Sequence, residues 1–270
     1  MMKEIEIEEL RQIQIELLKS IALFCDKNGL RYFLTGGTLL GAIRHRGFIP
    51  WDDDIDIAMP REDYEVFIKS YYSEGNQHRV VTCYSQKEYY LPFAKVVDEN
   101  TILIEKLEHN STIGVFVDVF PLDRFDFSDT QINRFYKQQR RRIRFLSVKT
   151  LPLDRVHTRK KIVALILKFL CLGVSSNSIA KRIDKEAQKA SSPKGEVICV
   201  AVAMTYGKKE FLKKSLFDES VDVLFQNYMF HAPKGYDEVL RRYYGDYMEL
   251  PPIEKRVTHH NFKAYYKENN

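Results

Sequence analysis

Residues 33–63 read FLTGGTLLGAIRHRGFIPWDDDIDIAMPRED, and the rest of the chain is interpreted around this stretch. It starts with an apolar segment and a glycine pair, continues through a short helix-like run and a basic patch, and ends in four aspartates within five positions. So many carboxylates beside apolar residues would repel one another strongly if they were buried without a partner. A divalent cation is the simplest physical remedy, so the stretch predicts a metal site.

The composition is that of a globular protein with one large domain or a domain plus a helical extension. The chain has 270 residues, of which 44% are apolar. The longest apolar run, residues 162–174, contains Lys168 and is too short to span a membrane. The acidic N-terminus predicts no signal peptide. Scattered cysteines without a CxxC pair predict free thiols in a cytosolic protein. They are Cys25, Cys83, Cys171 and Cys199.

Positive charge is concentrated between Lys137 and Lys161, where ten Lys and Arg residues face a single acid, Asp154. Three interpretations of this segment stay open: a solvated helix face, a site for an anionic acceptor, or contact with an anionic membrane surface. The solvated face is favoured, and membrane contact comes next. Nucleic acid is not predicted as a partner, because aromatic residues are not interleaved with the charges as in single-strand binders.

Hydrophobic periodicity predicts an α+β fold, with a mixed β-sheet core flanked by helices and a mainly helical C-terminal half. Residues 1–125 are predicted to form the catalytic core with an N-terminal helix. Residues 126–270 are predicted to be a helical extension and C-terminal segment that pack on the core as one compact unit. The predicted helices cover residues 3–27, 38–44, 61–72, 129–147, 159–172, 178–190 and 236–243. The predicted strands cover residues 30–35, 55–59, 80–84, 93–97, 101–104, 115–120 and 197–203, with a strand or hairpin at 221–231.

The aspartates are predicted to form one group through strand alternation, because alternate side chains of a strand share a face. Asp54 and Asp56 then point together, Asp52 joins them if the strand begins early, and Asp53 points the other way. Asp118 is a lone acid in an apolar strand, and beside that strand it would be a third metal ligand or a base. The alternatives are a solvated acidic loop for the run and a cap or ion pair for Asp118. Hard cations such as Mg²⁺ prefer carboxylate oxygens and leave positions for phosphates.

The glycine pair Gly36–Gly37 lies between a predicted strand and a short predicted helix that Thr38 would cap. Backbone N–H groups and the helix dipole at such a place face an anion, so Gly36, Gly37 and Thr38 are predicted to hold phosphate. Alone the signal is weak, since many glycine pairs form turns. It gains weight from the Asp-apolar-Asp-apolar pattern that follows about fifteen residues later.

This combination resembles the signature of the nucleotidyltransferase superfamily, which has a glycine turn, Asp-x-Asp on the next strand and a third acid on a neighbouring strand. A closer resemblance is to the LicD-type phosphotransferase family, which includes the fukutin-related proteins. It covers most of the chain, and its longest block is LTGGTLLGAIRHRGFIPWDDDIDI. The blocks are residues 34–57, 59–64, 93–101, 115–123 and 236–252.

The resemblance implies a nucleotidyltransferase-like fold and a metal-dependent transferase that uses Mg²⁺, with Mn²⁺ as the alternative. The transferred group is a phospho-substituent, most favourably phosphocholine from CDP-choline, and CMP is released. The acceptor would be a hydroxyl of a cell-surface glycan, such as a polysaccharide, teichoic acid or lipopolysaccharide, in some cases lipid-linked. The protein is predicted to be cytoplasmic, with the inner face of the membrane as the alternative site of action. Catalysis would rest on Asp54, Asp56 and Asp118, with Asp52 joining them as metal ligands.

Three further side chains are candidates with an alternative each. Arg44 is predicted to contact the donor diphosphate through its bidentate guanidinium or, as the alternative, to carry surface charge or pair with the aspartates. Lys95 is interpreted as a phosphate ligand or as the partner of an aspartate, and the resemblance favours a function. Trp51 is predicted to pack under the aspartate loop, with stacking on a base as the alternative. The aromatic turn at residues 243–252 would suit a quaternary ammonium group, although packing is the simpler interpretation.

Two other functions are kept as alternatives. The first is a nucleotidyltransferase that attaches NMP to a small molecule or protein, which would release pyrophosphate instead of CMP. The second is a non-enzymatic scaffold at the membrane surface in a glycan assembly complex, which would show no metal-dependent thermal shift with CDP-choline. The crowded acids argue against the scaffold, because a scaffold does not need them.

Overall fold

The computed structural model describes residues 2–72, 77–105, 113–150, 165, 168, 173–257 and 262–268. The α-helices with described bounds are α1 (Ile7–Asn28), α2 (Gly36–His45), α3 (Arg61–Ser70), α4 (Asp129–Thr150), α5 (Ser176–Ala190) and α6 (Tyr236–Tyr244). The strands are β1 (Glu4–Ile5), β2 (Phe33–Leu34), β3 (Asp56–Pro60), β4 (His78–Val81), β5 (Ala94–Asp98), β6 (Thr101–Glu105), β7 (Phe116–Phe125), β8 (Val197–Cys199), β9 (Leu212–Lys213), β10 (Ser220–Phe225), β11 (Tyr228–Pro233) and β12 (Phe262–Tyr266).

The centre of the fold is a seven-stranded mixed sheet in the order β2-β3-β7-β5-β4, extended by β8 and β9 from the second half of β7. The pairing of β3 with β7 is parallel, and the other pairs are antiparallel. Successive residues of β5 and most of those of β7 are buried, which is the pattern of strands covered on both faces. The prediction of a mixed sheet flanked by helices is confirmed.

Both ends of the described chain meet in a second sheet of three strands, in the order β1-β12-β6. Helix α1 therefore begins at Ile7 and not at residue 3, because Glu4 and Ile5 pair with residues of β12. No strand was predicted at residues 262–266, where the structure has β12. A short strand whose partners lie over 250 residues away leaves no local periodicity, so the pattern could not reveal it.

The second half of the chain contains strands as well as helices. Its described part holds three helices and five strands, so the prediction of a mainly helical C-terminal half is not clearly supported. The predicted strand or hairpin at 221–231 is the hairpin β10–β11, whose turn residues Gln226 and Asn227 both have positive φ. The predicted helix at 159–172 lies outside the described residues except at positions 165 and 168. One buried core contains residues of both halves, and the boundary at residue 125 stays a prediction.

A buried ion-pair cluster centred on Arg61 joins the first half of the chain to the second. Arg61, at the start of α3, makes two parallel 2.8 Å hydrogen bonds to the carboxylate of Asp123 on β7 and a third of 2.8 Å to Asp184 on α5. Asp123 is fully buried, and Asp184 also accepts a hydrogen bond from the hydroxyl of Tyr84. The surrounding carboxylates raise the pKa of Arg61 against the opposing effect of burial, so the guanidinium is charged.

The basic segment is described only in part. Residues 137–150 belong to α4, and residues 151–161 lie outside the described residues. On α4, Lys137, Arg141 and Arg144 are exposed, whereas Arg142 forms an ion pair with Glu186 of α5 at 2.8 Å. Of the helices with described residues, none combines the length and the apolar character needed to cross a membrane.

Candidate active site

Asp52, Asp54, Asp56 and Asp118 line one open cleft of about 770 Å³. The parallel register of β3 and β7 places Asp56 directly beside Asp118. The N–H group of Asp118 donates to the carbonyl oxygen of Ile55 at 2.9 Å, and this hydrogen bond helps to fix the register of the two segments. The structure thus brings together the four carboxylates that the sequence analysis proposed as metal ligands.

The three consecutive aspartates do not follow the predicted strand alternation. Strand β3 begins at Asp56, so residues 52–55 form a loop without regular structure, to which strand alternation does not apply. One carboxylate oxygen of each of Asp52, Asp53 and Asp54 lies within 4.8 Å of the others, a spacing that could hold a metal ion. Asp53 therefore does not point away from its neighbours as predicted. It is more deeply buried than Asp52 and Asp54, and it does not line the cleft.

The crowding of carboxylates affects the pKa of Asp56 in particular. Burial raises the pKa of its carboxyl well above the usual value, and the negative charges of Asp54, Asp118 and Asp52 raise it further. Lys95 lowers it by a smaller amount. A carboxyl in this position favours the charged form only when more positive charge is brought close to it.

The glycine pair is explained by the aspartates that pack against it. Gly36 has φ +56, and a Cβ at this position would lie 3.0 Å from Oδ2 of Asp56. A Cβ on Gly37 would lie only 2.5 Å from Oδ2 of Asp52. Both glycines lie in the first turn of α2, so the N-terminus of that helix meets the carboxylates without intervening side chains. Their place beside an open cleft is compatible with the predicted phosphate cradle.

Replacing Gly37 with Ala is expected to reduce catalytic turnover by about 10²-fold, because the new methyl group displaces the carboxylate of Asp52 by roughly an ångström. The melting temperature should not fall, since Ala is a better helix former than Gly by about 1 kcal/mol. Gly173→Ala is the matched control, because a Cβ there meets nothing within 4 Å. Equal activities of the two variants would show that the contact between Gly37 and Asp52 has no role.

Thr38 and Lys95 are both used to hold the acidic strands. The hydroxyl oxygen of Thr38 accepts a 2.8 Å hydrogen bond from the N–H of Asp56. The prediction that Thr38 caps α2 was wrong, because the helix begins at Gly36 and Thr35 is at the N-cap position. The ammonium group of Lys95 lies 2.6 Å from Oδ1 of Asp118. Of the two interpretations for Lys95, the geometry therefore gives the partner of an aspartate.

Arg44 lines the cleft and ties its two walls together. Its Nη1 donates to the carbonyl oxygens of Tyr247 at 2.8 Å and Glu249 at 3.3 Å, and its Nε donates to the His45 ring at 2.9 Å. The guanidinium thus holds the loop after α6 against α2. The aromatic turn predicted near residues 243–252 is this opposite wall of the cleft.

Two residues of α1 hold the aspartate loop from behind. The Nη2 of Arg11 donates to the carbonyl oxygens of Ile49, Pro50 and Asp52, at 3.5, 3.0 and 2.7 Å. The amide of Gln14 donates to the carbonyl oxygen of Asp53 at 2.9 Å. These contacts fix the backbone of a loop without regular structure, and they place one positive charge beneath three carboxylates. The sequence analysis missed both residues, because α1 gives only an amphipathic pattern.

Tyr206 also lines the cleft and was not singled out from the sequence. It comes from the segment after β8, and its hydroxyl forms a hydrogen bond with the hydroxyl of Tyr244 on α6. Its ring stacks on Tyr243, with centroids 4.3 Å apart and planes 7° apart. Burial is the main cause that raises the pKa of both Tyr206 and Tyr244 above the usual value. No motif marks Tyr206, so only the tertiary structure reveals it.

Comparison with known proteins agrees with this geometry. A family model described as LicD/FKTN/FKRP, nucleotidyltransferase domain, matches residues 29–164. The chain is 31% identical over 270 residues to the lipopolysaccharide cholinephosphotransferase LicD of Haemophilus influenzae, covering 98% of this chain and 99% of that protein. The chain belongs to the LicD family. Ribitol 5-phosphate transferase FKRP of Homo sapiens is 57% identical over 35 residues, which is 13% of this chain and 7% of that protein.

The LicD family match contains the glycine pair, the cleft aspartates with Asp53, and Lys95. Tyr206 and Tyr244 lie beyond it, yet they line the same cleft. The candidate site is therefore built from the LicD family domain and from the chain that follows it.

Glu210 is a buried carboxyl close behind the LicD family site. It is 3% exposed, and its Oε1 accepts a 2.6 Å hydrogen bond from the N–H of Tyr206. A cavity of about 60 Å³ is bordered by Glu210, Asp56, Gly36 and Tyr206. Burial raises the pKa of Glu210 to about 8, although the hydrogen bond from Tyr206 lowers it.

This raised pKa predicts a pH-dependent stability that Glu210→Gln removes. Between the usual pKa of 4.5 and about 8, the folded chain retains the Glu210 proton and the unfolded chain has lost it. The free energy of unfolding should therefore fall by about 1.4 kcal/mol per pH unit as the pH rises through this window. In Glu210→Gln this pH dependence should be absent, so the free energy of unfolding of the variant should rise relative to that of the wild type as the pH increases. Urea unfolding at several pH values measures this difference. An equal pH dependence of the free energy of unfolding in wild type and variant would contradict the raised pKa of Glu210. The control is Glu238→Gln, which changes an exposed carboxyl.

Proposed function

We propose that this LicD-family chain transfers a phospho-substituent from a CDP-activated donor to a hydroxyl of a cell-surface glycan, with release of CMP. The observation that carries the proposal is the grouping of Asp52, Asp54, Asp56 and Asp118 in one cleft at the glycine-lined start of α2. The names of both relatives, a cholinephosphotransferase and a ribitol 5-phosphate transferase, describe transfer of a phospho-substituent. Phosphocholine is the favoured substituent, because the relative that covers the whole chain is the cholinephosphotransferase.

The fold that we propose for the catalytic part is nucleotidyltransferase-like. In support, a β-strand followed by a glycine-started helix precedes an acidic strand, and a third acid lies at the adjacent position on the neighbouring strand. The description of the matching family model names the same domain type.

The carboxylates fit a divalent cation, Mg²⁺ or Mn²⁺. Their oxygens are the ligands that such cations prefer. The pKa of Asp56 is raised first by burial and then by the negative charges of Asp54, Asp118 and Asp52, so a cation beside it would favour its charged form. We propose Asp52, Asp54, Asp56 and Asp118 as its ligands. When bound, the cation would neutralise charge on the donor diphosphate and on the leaving CMP.

The chain's own residues orient the reactants in this proposal. The backbone at Gly36 and Gly37 offers N–H groups at the N-terminus of α2 to a phosphate oxygen. Lys95 orients the carboxylate of Asp118 through a 2.6 Å hydrogen bond. Asp118 is then either a metal ligand or the base that accepts the proton of the attacking hydroxyl. Arg44 lines the cleft from α2 and holds the opposite wall in place, and we propose that it also contacts the donor diphosphate.

The proposal is tested by incubating the protein with Mg²⁺ and each of CDP-choline, CDP-ethanolamine, CDP-glycerol and CDP-ribitol, with glycan acceptors of differing composition. We expect CMP release with one donor above the others, dependent on acceptor and abolished by EDTA. Absence of CMP release from every donor, by protein that shows a Mg²⁺-dependent thermal shift, would contradict the proposed reaction.

A second candidate function is nucleotidyl transfer to a small molecule or protein. The family model's description as a nucleotidyltransferase domain is the observation that favours it. The two reactions differ in the bond that breaks, so the products separate them. CMP as product means transfer of the phospho-substituent, and pyrophosphate from a nucleoside triphosphate means nucleotidyl transfer.

We propose that the protein works in the cytoplasm and that the basic face of α4 brings it to the anionic inner surface of the membrane. Lys137, Arg141 and Arg144 are exposed on this helix, and each basic residue near such a surface adds about 1 kcal/mol of attraction. A variant with Glu at these three positions should lose sedimentation with vesicles containing phosphatidylglycerol while retaining transfer to a soluble acceptor. The wild type should also be released at high salt. Equal sedimentation of wild type and variant would contradict membrane contact through α4.

A further inference from the structure

Tyr206 is held at the cleft by a strained segment of backbone. Met204 has φ +52 and Gly207 has φ +67, so the two residues that flank Thr205 and Tyr206 are both left-handed. For a non-glycine residue such as Met204 this conformation is strained. Strain of this kind persists where the surrounding structure fixes a particular geometry, and active sites are the commonest place for it.

Two further contacts fix the same residue. The buried carboxyl of Glu210 accepts the N–H of Tyr206, although burying a carboxyl in apolar surroundings is costly. The ring of Tyr206 lies flat against Tyr243. Backbone strain, a buried acid and a stacked ring therefore all contribute to one result, the position of the Tyr206 hydroxyl.

That hydroxyl lies at the start of α2 beside the carboxylates. The position that a Cβ of Gly36 would take is 3.6 Å from the Tyr206 hydroxyl oxygen and 3.0 Å from Oδ2 of Asp56. The phenol and the carboxylate thus border the same space. The hydrogen bond between Tyr206 and Tyr244 uses one of the two hydroxyl protons, so the pair retains one O–H donor for a third group.

We propose that the Tyr206–Tyr244 pair donates a hydrogen bond to a phosphoryl oxygen of the bound donor, an inference that rests on the proposed function. A phosphate beside four carboxylates needs hydrogen-bond donors, and the tyrosine pair supplies one in addition to Lys95 and Arg44, which also contact protein acceptors. A fixed neutral hydroxyl stabilises the charge on the equatorial oxygens without needing to reorganise during the reaction. The pair contacts substrate directly, and Glu210 is a positioning residue that acts through the backbone of Tyr206.

The test compares Tyr206→Phe and Tyr244→Phe with Tyr236→Phe, a control that removes a hydroxyl from the half-buried first residue of the same helix α6. Binding of CDP-choline and of inorganic pyrophosphate, each with Mg²⁺, is measured by calorimetry, and CMP release is measured in parallel. We expect at least one of the two site variants to bind both probes about 10- to 100-fold more weakly, the size of a lost hydrogen bond to a charged group. The larger loss identifies the hydroxyl that touches the phosphoryl oxygen. Tyr236→Phe should bind as the wild type does.

Wild-type affinity for both probes in both site variants would overturn the inference, even if their melting temperatures fell, because the pair would then be structural only. A wild type that binds pyrophosphate but releases no CMP from any CDP-alcohol would contradict the proposed function. The pyrophosphate affinities of the variants would still decide the role of the tyrosines. A wild type that binds neither probe would overturn both.

Discussion

Asp56→Asn is expected to reduce transfer by about 10³-fold or more, because the substitution removes a ligand charge that contributes several kcal/mol to stabilising the transition state. Asp56 lies beside Asp118 in the sheet register and against Gly36, so it is placed at the centre of the acidic group. Loss of its charge should not unfold the protein. The charged form of the Asp56 carboxyl is disfavoured by burial and by three neighbouring aspartates. A neutral amide of the same shape therefore relieves the repulsion.

The measurement is CMP release together with a melting curve in the absence of metal. We expect the melting temperature of Asp56→Asn to equal or exceed that of the wild type, and Asp54→Asn to lose activity in the same way. Asp126→Asn, which removes an exposed carboxylate just after β7, is the control and should retain activity. Near-normal turnover in both Asp54→Asn and Asp56→Asn would contradict the assignment of the acidic group as the active site.

Arg61→Met should have the largest effect on stability, a loss of about 3–5 kcal/mol, because it leaves two buried carboxylates without their cation. Asp123 is fully buried and receives two hydrogen bonds from Arg61, and Asp184 receives a third. For a domain of this size the loss corresponds to a fall in melting temperature on the order of 10 °C. Thermal or urea unfolding gives the value.

The control for Arg61 is Arg79→Met. Arg79 pairs with Glu99 at a similar distance of 2.7 Å, but both side chains are about 40% exposed, and such pairs contribute about 0–1 kcal/mol. A fall in stability as small for Arg61→Met as for Arg79→Met would show that the buried cluster does not join the two halves of the chain energetically.

The sequence predicted the elements whose signals are local. The strand β3, the helices α1 and α3 and the hairpin at β10–β11 follow from hydrophobic period and turn residues, within a few positions at their ends. The pairing of β1 with β12 could not be predicted in this way, because strands of two and five residues from opposite ends of the chain have no common local pattern.

The candidate site also combines residues that local sequence patterns predict with residues that only distant contacts bring in. The carboxylates were predictable, because acids among apolar residues need compensation wherever they lie. The orientation of Asp53 was not, since it depends on where β3 begins. Arg11 contacts Asp52, about 40 positions away, and the Tyr206 hydroxyl approaches Gly36, about 170 positions away, so no spacing marks either residue. The glycine pair was predicted as a phosphate cradle, and its contact with Asp52 and Asp56 adds a steric reason that only the structure provides.

The most direct test of the central claim, that the aspartate group holds a divalent cation on the donor, is a Mn²⁺ titration followed by electron paramagnetic resonance in the presence of CDP-choline. We expect the wild type to bind Mn²⁺ more tightly with CDP-choline than without it. Asp56→Asn should lose this binding, whereas Asp126→Asn should retain it. Equal Mn²⁺ affinity in the wild type and Asp56→Asn would contradict the proposed metal site.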